Sequence, residues 1–487
     1  MNRLTALSLG AAFGTVFGAA AARATVYTAN PGDNLSALAN SVQSGDIIQL
    51  NPGTYTTGMY PNAGFTGVTI RSTNPANPAV FSGAGMQFPD AHNITVSDIV
   101  MQNTAGNYIN AFNSDSSGPA ATNFTFRNMT FQNPVYSTSV QTIGLKMAGV
   151  DGFTIDNCRF LGFGNMAGAL GIDGVGVHQG SVTHSVFNTT GAAVGGGSGY
   201  GIQFKGASAD ITIRANRFDD AFRTGQRGIN NGGSTGVPYF RPQPPPLYEA
   251  TRITMEGNVF SGWRAPVDFA SNDGGTFRDN LVYRPIGYFA WITTESTING
   301  ITYQAKNGSV LSNRFIWNQG DLYEPGTNFV NIGGNTLPAT FTFTGNQWYN
   351  ATNPSNSAPH LGLITETGSI YGVNPNVSVD KIVPWTFDWG MYLTNDSLAT
   401  DTYTITGQSE PLLLATPGAG GALDLGATYP LSGTWTFQPA DTSVSLSAMT
   451  DAVLIRQSLV PEPATTLGLL VLPFVLLLNR KAGRASN

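Results

Sequence analysis

One phrase returns nine times between Asn93 and Asn350, and it limits what this chain can fold into more than any other feature. In each copy, alternating apolar residues lead into a turn that most often carries Asn or Asp, and a large apolar residue follows. The closing residues are Met101, Phe131, Phe160, Phe187, Phe218, Phe260, Val282, Phe315 and Trp348, so the steps range from 22 to 42 and cluster near 30. Period-two alternation broken by Gly and Asn turns specifies short strands rather than helices. A step near 30 is too short for a propeller blade, and no helices intervene as a βαβ fold requires. The remaining solution is a parallel β-helix, each coil stacked on the last at the strand spacing of about 4.8 Å.

Composition agrees with stacked turns. The 487 residues include 59 Gly, and only 11% are charged, which argues against long helices. An aromatic content of 11% argues against disorder. The formal charge of -6 argues against a nucleic-acid partner, and the single Cys excludes a disulfide framework. That residue, Cys158, sits in a repeat copy and reads as core. Asn216, Asn258, Asn280, Asn313 and Asn346 fall at matching places, where Asn tolerates a left-handed turn and its amide can bond to the next Asn in a ladder.

The N-terminal part of the repeat region has its own opening. Asp33 or Asn34 can cap a short helix through Leu35, Leu38 and Val42, and the segment from Gly45 to Tyr55 then enters the first strands. Here the sequence resembles the pectin-lyase-like right-handed β-helix superfamily. In this opening and around Lys205 it is most similar to the chondroitinase and alginate lyase branch. The resemblance implies an all-β, single-stranded right-handed parallel β-helix with an N-terminal capping helix, over residues 25–378. Residues 379–458 read as an irregular last coil and a short β-rich C-terminal appendage.

Both ends read as addresses. Residues 1–24 combine Arg3, an apolar stretch and Ala22-Arg23-Ala24, the pattern of a secretory signal peptide. In residues 459–487, Pro461-Glu462-Pro463 precedes an apolar segment from Ala464 to Leu478 and then Arg480, Lys481 and Arg484. This tail resembles the PEP-CTERM sorting signal of Gram-negative bacteria. The resemblance implies export, transient membrane anchoring through the apolar segment, processing by an exosortase, and delivery to the cell surface or an extracellular matrix. Removing both ends leaves 18 basic and 28 acidic residues, a balance of -10. Any basic patch then stands out.

Second strands lie between the phrases, and aligning them from Ile143, Gly174, Gly201, Arg227 and Pro266 places two columns outward. One reads Lys146, His178, Lys205, Asn230 and Ala270; its neighbour reads Gly144, Gly176, Gln203, Gly228 and Asp268. Stacked about 5 Å apart, two lysines would flank a histidine and lower one another's pKa, and the glycines would leave an open groove. A column of like charge points to an anionic polymer. Arg227 and Arg223 could join it, Asp173 could orient His178, and the Pro-rich stretch from Val237 to Tyr248 could wall the groove with Tyr239, Phe240 and Tyr248. Glu295 and Glu366, beyond the column, are not expected to be catalytic.

Opening a uronate polymer by β-elimination needs a cation for the carboxylate, a base for the adjacent C–H and an acid for the leaving oxygen. The expected catalytic set is Lys205, Arg227 and His178; the expected substrate-binding set is Lys146, Gln203, Asn230, Asp268, Arg223 and Tyr239. In the lyase branch, a Lys and an Arg one coil apart act together, and Lys205 and Arg227 match that relation. That branch also holds calcium on acidic residues just before the Lys. This chain has Ser198, Gly199 and Tyr200 there, so calcium is not required by the pattern and no metal ligands are assigned. Two other readings stay open: a non-catalytic surface or matrix protein that binds acidic polysaccharide, and a glycoside hydrolase using Asp219, Asp220 or Asp268.

Overall fold

The computed structural model describes residues 24–375, apart from 116–117, 137–139, 165–168, 190–198, 220–226 and 322–328, together with the backbone of six strands between Val377 and Phe437. Both expected terminal signals, with Ser198, Asp220 and Arg223, lie outside the described residues. Among the described residues, no helix is long and apolar enough to cross a membrane.

Each repeated phrase is two sides of a coil. Its alternating half forms a strand of sheet 1, such as Ser208–Arg214, and its closing half a short strand of sheet 2, such as Arg217–Asp219. A loop of variable length then leads to a strand of sheet 3, such as Arg227–Gly232. Every strand pairs in parallel with its counterparts one coil before and after, giving 13, 12 and 9 described strands in the three sheets. The chain is a right-handed parallel β-helix, its coils running from Val26 to Tyr371.

The corner between sheets 1 and 2 is built from two adjacent positions with different duties. The first is left-handed: Asp98, Asn128, Asn157, His184, Ala215, Asp279 and Ser312 have φ between 51° and 60°. The second points inward, and from Asn216 onward it is the asparagine of the repeat. The two roles expected of Asn216, Asn258, Asn280, Asn313 and Asn346 therefore divide. Their neighbours take the turn, and these five, almost fully buried, form the ladder. Each Nδ2 donates to the Oδ1 of the next at 3.0–3.1 Å, and the same Oδ1 accepts the preceding backbone N–H. Cys158 and Ser185 hold the equivalent place in earlier coils, where Ser185 Oγ accepts from the Cys158 N–H. Burial pushes the Cys158 thiol well above its ordinary pKa, as a core residue rather than a nucleophile requires. Glu366 ends the ladder, accepting from Asn346 Nδ2 and from Trp348 Nε1.

Beside the ladder, Phe131, Phe160, Phe187, Phe218 and Phe260 stack with ring centroids 4.6–4.8 Å apart. The edges of Phe160, Phe187, Phe218 and Phe260 meet Gly144, Gly171, Gly201 and Gly228 on sheet 3. A Cβ on Gly201 would lie 2.7 Å from the Gly228 carbonyl and 3.0 Å from the Phe218 ring. Gly144 and Gly228 thus face the core and do not open the surface, contrary to the sequence expectation. At the N-terminal end, Asn34 Oδ1 accepts from the Ala37 N–H, and the helix Leu35–Ala39 lays Leu35 and Ala39 over the first coil. The six later strands form three antiparallel pairs.

Phe218→Ala should cost about 3–5 kcal/mol, because it removes a fully buried ring from the stack. Gly201→Ala should destabilise too, despite its small size. Urea unfolding of both variants checks this; an unchanged midpoint for Gly201→Ala would mean the glycine column does not press on the rings.

Candidate functional site

Sheet 3 carries most of the expected site residues, in a register different from the one expected. The strands Ile143–Ala148, Leu170–Val175, Tyr200–Lys205, Arg227–Gly232 and Ala265–Ala270 pair so that Lys146, Asp173, Gln203, Asn230 and Asp268 form one column, extended by Asn110 before and Trp291 after. His178 is not in it. It begins the sheet 1 strand His178–Thr183, where Nδ1 meets Asp151 Oδ1 at 2.8 Å and Nε2 faces the Ala207 carbonyl at 3.2 Å. Burial pushes Asp151 up, but its bond to His178 and the charges of His178 and Arg241 outweigh this and hold it below the usual carboxylate range. The neighbour expected to act on Lys205 is therefore on another sheet.

Asp173, expected to orient His178, instead accepts a hydrogen bond and ion pair from Lys146. Its side chain is buried, and its second oxygen has no partner among the described residues. Lys205 falls one column over from Lys146, in line with Val175, Ala148 and Phe112. Two coils and two residues separate the two lysines, roughly 12 Å between backbones, not the 5 Å spacing expected on either side of a histidine.

A groove of about 400 Å³ opens over these strands, lined among others by Asn107, Asn110, Asn113, Lys146, Lys205 and Tyr239. The Lys205 ammonium makes no hydrogen bond or ion pair among the described residues. Tyr239 stands 67% exposed at the rim. Its loop is pinned from behind: Phe240 is fully buried against Ala207, Ile298 and Tyr303, with Tyr248 packed on that cluster. Buried Glu249 braces the wall by accepting from the Gly206 and Thr235 N–H groups, at 2.8 and 2.9 Å, and from Ser296. Of the three aromatics proposed for the wall, Tyr239 alone lines the groove.

Arg227 is enclosed, its side chain 12% exposed. Nη1 donates to Tyr200 Oη at 2.6 Å, Nη2 lies 3.5 Å from Glu295 Oε1, and the guanidinium sits 3.9 Å from the centre of the Trp291 ring. Nε approaches Asp268 Oδ2 at 2.9 Å, but its N–H does not point at that oxygen; the contact neutralises charge without a directed hydrogen bond. Burial raises the pKa of both Asp268 and Glu295. Arg227 opposes the rise in each, and Asp268 adds to it in Glu295. Burial likewise pushes Tyr200 up to about 12. Sequence reasoning set Glu295 aside, yet the fold brings it to Arg227 and within electrostatic reach of Lys205. Asn230 is fully buried, with both amide atoms unpartnered among the described residues, and Gln203 is nearly so.

Of the three positions before Lys205, Ser198 lies outside the described residues, Gly199 carries no donor side chain, and Tyr200 Oη accepts from Arg227; among the described residues no group of three or more His, Cys, Asp or Glu could hold a metal ion.

No family model matches the sequence, and no curated protein matches it. Solved structures do match. The A-module of a mannuronan C-5 epimerase from Azotobacter vinelandii aligns at 13% identity and TM-score 0.48, over 71% of this chain and 88% of that one. An alginate lyase from Paenibacillus sp. aligns at 17% and 0.40, over 67% and 96%. An Escherichia coli bacteriophage tailspike in complex with a pentasaccharide aligns at 14% and 0.46, over 70% and 64%. At such identities the likeness is one of fold.

The Asp268 and Glu295 shifts carry a sign. With a raised folded pKa, each carboxyl binds its proton more tightly folded than unfolded, so its contribution to stability is largest at low pH and falls as pH climbs from the ordinary carboxylate value through the raised one. Glu295→Gln deletes one of these titrations. The wild-type minus variant difference in unfolding free energy should therefore decline as pH rises above about 4; a flat or rising difference in urea titrations at a series of pH values would contradict it.

Proposed function

We propose that the chain binds an acidic, uronate-containing polysaccharide in the sheet 3 groove and cleaves it by β-elimination. The observation that carries this reading is two lysines lining one groove of an acidic protein, Lys205 with no side-chain partner among the described residues and Lys146, paired with Asp173, two coils away, with Tyr239 exposed at the rim. An unpaired ammonium in a concave, amide-lined surface suits a carboxylate ligand, and an exposed tyrosine ring suits the apolar face of a sugar.

In the proposed reaction, Lys146 faces the uronate carboxylate and stabilises the charge that builds on it. Lys205 is the proposed base and takes the proton from the carbon next to the carboxylate. The freed electron pair forms the new C=C bond, the glycosidic C–O bond breaks, and the departing oxygen receives the proton back from Lys205. Arg227 does not touch substrate in this scheme. It holds Asp268, Glu295 and Tyr200 behind the groove. The terminal segments add a location: the chain is exported, and an exosortase releases it from a transient membrane anchor to the cell surface or matrix.

Incubation with alginate, pectate and glycosaminoglycans should generate the ultraviolet absorbance of unsaturated uronates with at least one of them. Lys205→Ala should lower that rate by about 10² to 10⁴ while leaving the circular dichroism unchanged. Retained binding with no cleavage of any polymer would remove the elimination step and leave a surface polysaccharide-binding protein. Full activity in Lys205→Ala would remove the proposed base.

A further inference from the structure

A second concave surface lies on the same coils but on a different face. It encloses about 440 Å³ against sheet 2 and the corner leading into it, where the strands Ile99–Gln102, Thr130–Gln132 and Arg159–Leu161 lie side by side. The proposed reaction uses none of its residues.

Two ladders of side-chain amides bound this groove. At the corner, Asn128 Nδ2 donates to Asp98 Oδ1 and Asn157 Nδ2 donates to Asn128 Oδ1, both at 2.8 Å. The ladder stops there: Asn157 is only 6% exposed, and its Oδ1 has no hydrogen-bond partner among the described residues. Nδ2 is committed to Asn128 and Oδ1 has almost no accessible surface, so this amide forms a fixed wall of the groove. On the strands, Gln132 Nε2 donates to Gln102 Oε1 at 2.9 Å, and the Thr130 hydroxyl beside it carries no bond among the described residues. Pro75, Pro78 and Val100 supply apolar faces between these polar edges.

Charge separates this groove from the one on sheet 3. Its lining holds one acid, Asp98, and one base, Arg159. The Asp98 oxygens already accept from Asn128 Nδ2 and from Ser97 Oγ. A carboxylate sugar would meet Asp98 with no excess positive charge to offset the repulsion, whereas a sugar with only hydroxyls would match apolar faces with its C–H surfaces and amide acceptors with its O–H groups.

From this lining we infer a second saccharide-binding site, on the sheet 2 face at Thr130, Gln132 and Asn157, that takes an uncharged glycan chain. It would hold the protein on a neutral polysaccharide while the sheet 3 groove engages an acidic one. The two sites stand or fall separately, because they share no lining residue.

The test titrates full-length protein with cellohexaose, mannohexaose and xylohexaose by calorimetry or nuclear magnetic resonance. At least one should bind saturably, and binding should survive in the Lys146→Ala, Lys205→Ala double variant. Thr130→Trp fills the groove from its outward face. It should weaken binding at least about tenfold, with the unfolding midpoint and any cleavage of acidic polymer unchanged. Gln132→Ala gives a milder second reading in the same direction. No binding of any uncharged hexasaccharide, or binding unaffected by Thr130→Trp, would overturn the site; preferential binding of acidic oligosaccharides there would overturn the class of ligand assigned to it.

Discussion

A buried asparagine amide that reaches from one coil to the next is the interaction on which this structure depends. Each Oδ1 from Asn258 to Asn346 accepts both a backbone N–H and a side-chain N–H from the coil before, and each Nδ2 of the ladder also donates to a backbone carbonyl. No other side chain of that size satisfies the same set of partners. A one-residue slip in any coil would strand these polar groups in the core, at a cost well above that of a lost surface hydrogen bond. The phenylalanine stack tolerates no slip either, since each ring from Phe160 to Phe260 fits against a glycine of the facing sheet.

Once that corner is fixed, sheet 3 inherits its register, and the groove is a consequence. Lys146, Asp173, Gln203, Asn230 and Asp268 align because each is the fourth residue of a strand that opens with one outward residue, a glycine against a ring, and an aliphatic residue in the core; only the last of these strands has Pro266 in place of the glycine. The same register sets Arg227 between Tyr200, Asp268, Glu295 and Trp291, turning an expected catalytic residue into an internal clamp. It leaves the Lys205 side chain lining the groove with no partner among the described residues. Buried charge behind the surface and free charge on it thus come from one alignment.

The repeat made the fold legible, because its period-two alternation and its closing aromatic recur coil after coil. Sheet 3 was harder to read. The loops that lead into it vary in length, so counting from the phrase does not locate its strands. In the coil of His178, Gly174-Val175-Gly176-Val177 alternates as cleanly as the true strand Leu170–Val175, and choosing it moved His178 into the lysine column. A sharper signal was present in Ile143-Gly144-Leu145-Lys146, Leu170-Gly171-Ile172-Asp173, Tyr200-Gly201-Ile202-Gln203 and Arg227-Gly228-Ile229-Asn230, four copies of one motif. Glu295 had no comparable signal. It lies beyond a strand end and reaches Arg227 only through the turn that follows Thr293.

Pairing the lysine groove with a carboxylate polymer is the central claim, and one comparison tests it most directly. Calorimetry would set a uronate hexasaccharide against its carboxyl-reduced, uncharged counterpart, at low salt, on the wild type and on the Lys146→Ala, Lys205→Ala double variant. The wild type should prefer the acidic form by at least about tenfold, and the double variant should lose that preference while keeping its fold. Equal affinity of the wild type for the two forms, or a preference that survives without both lysines, would contradict the account.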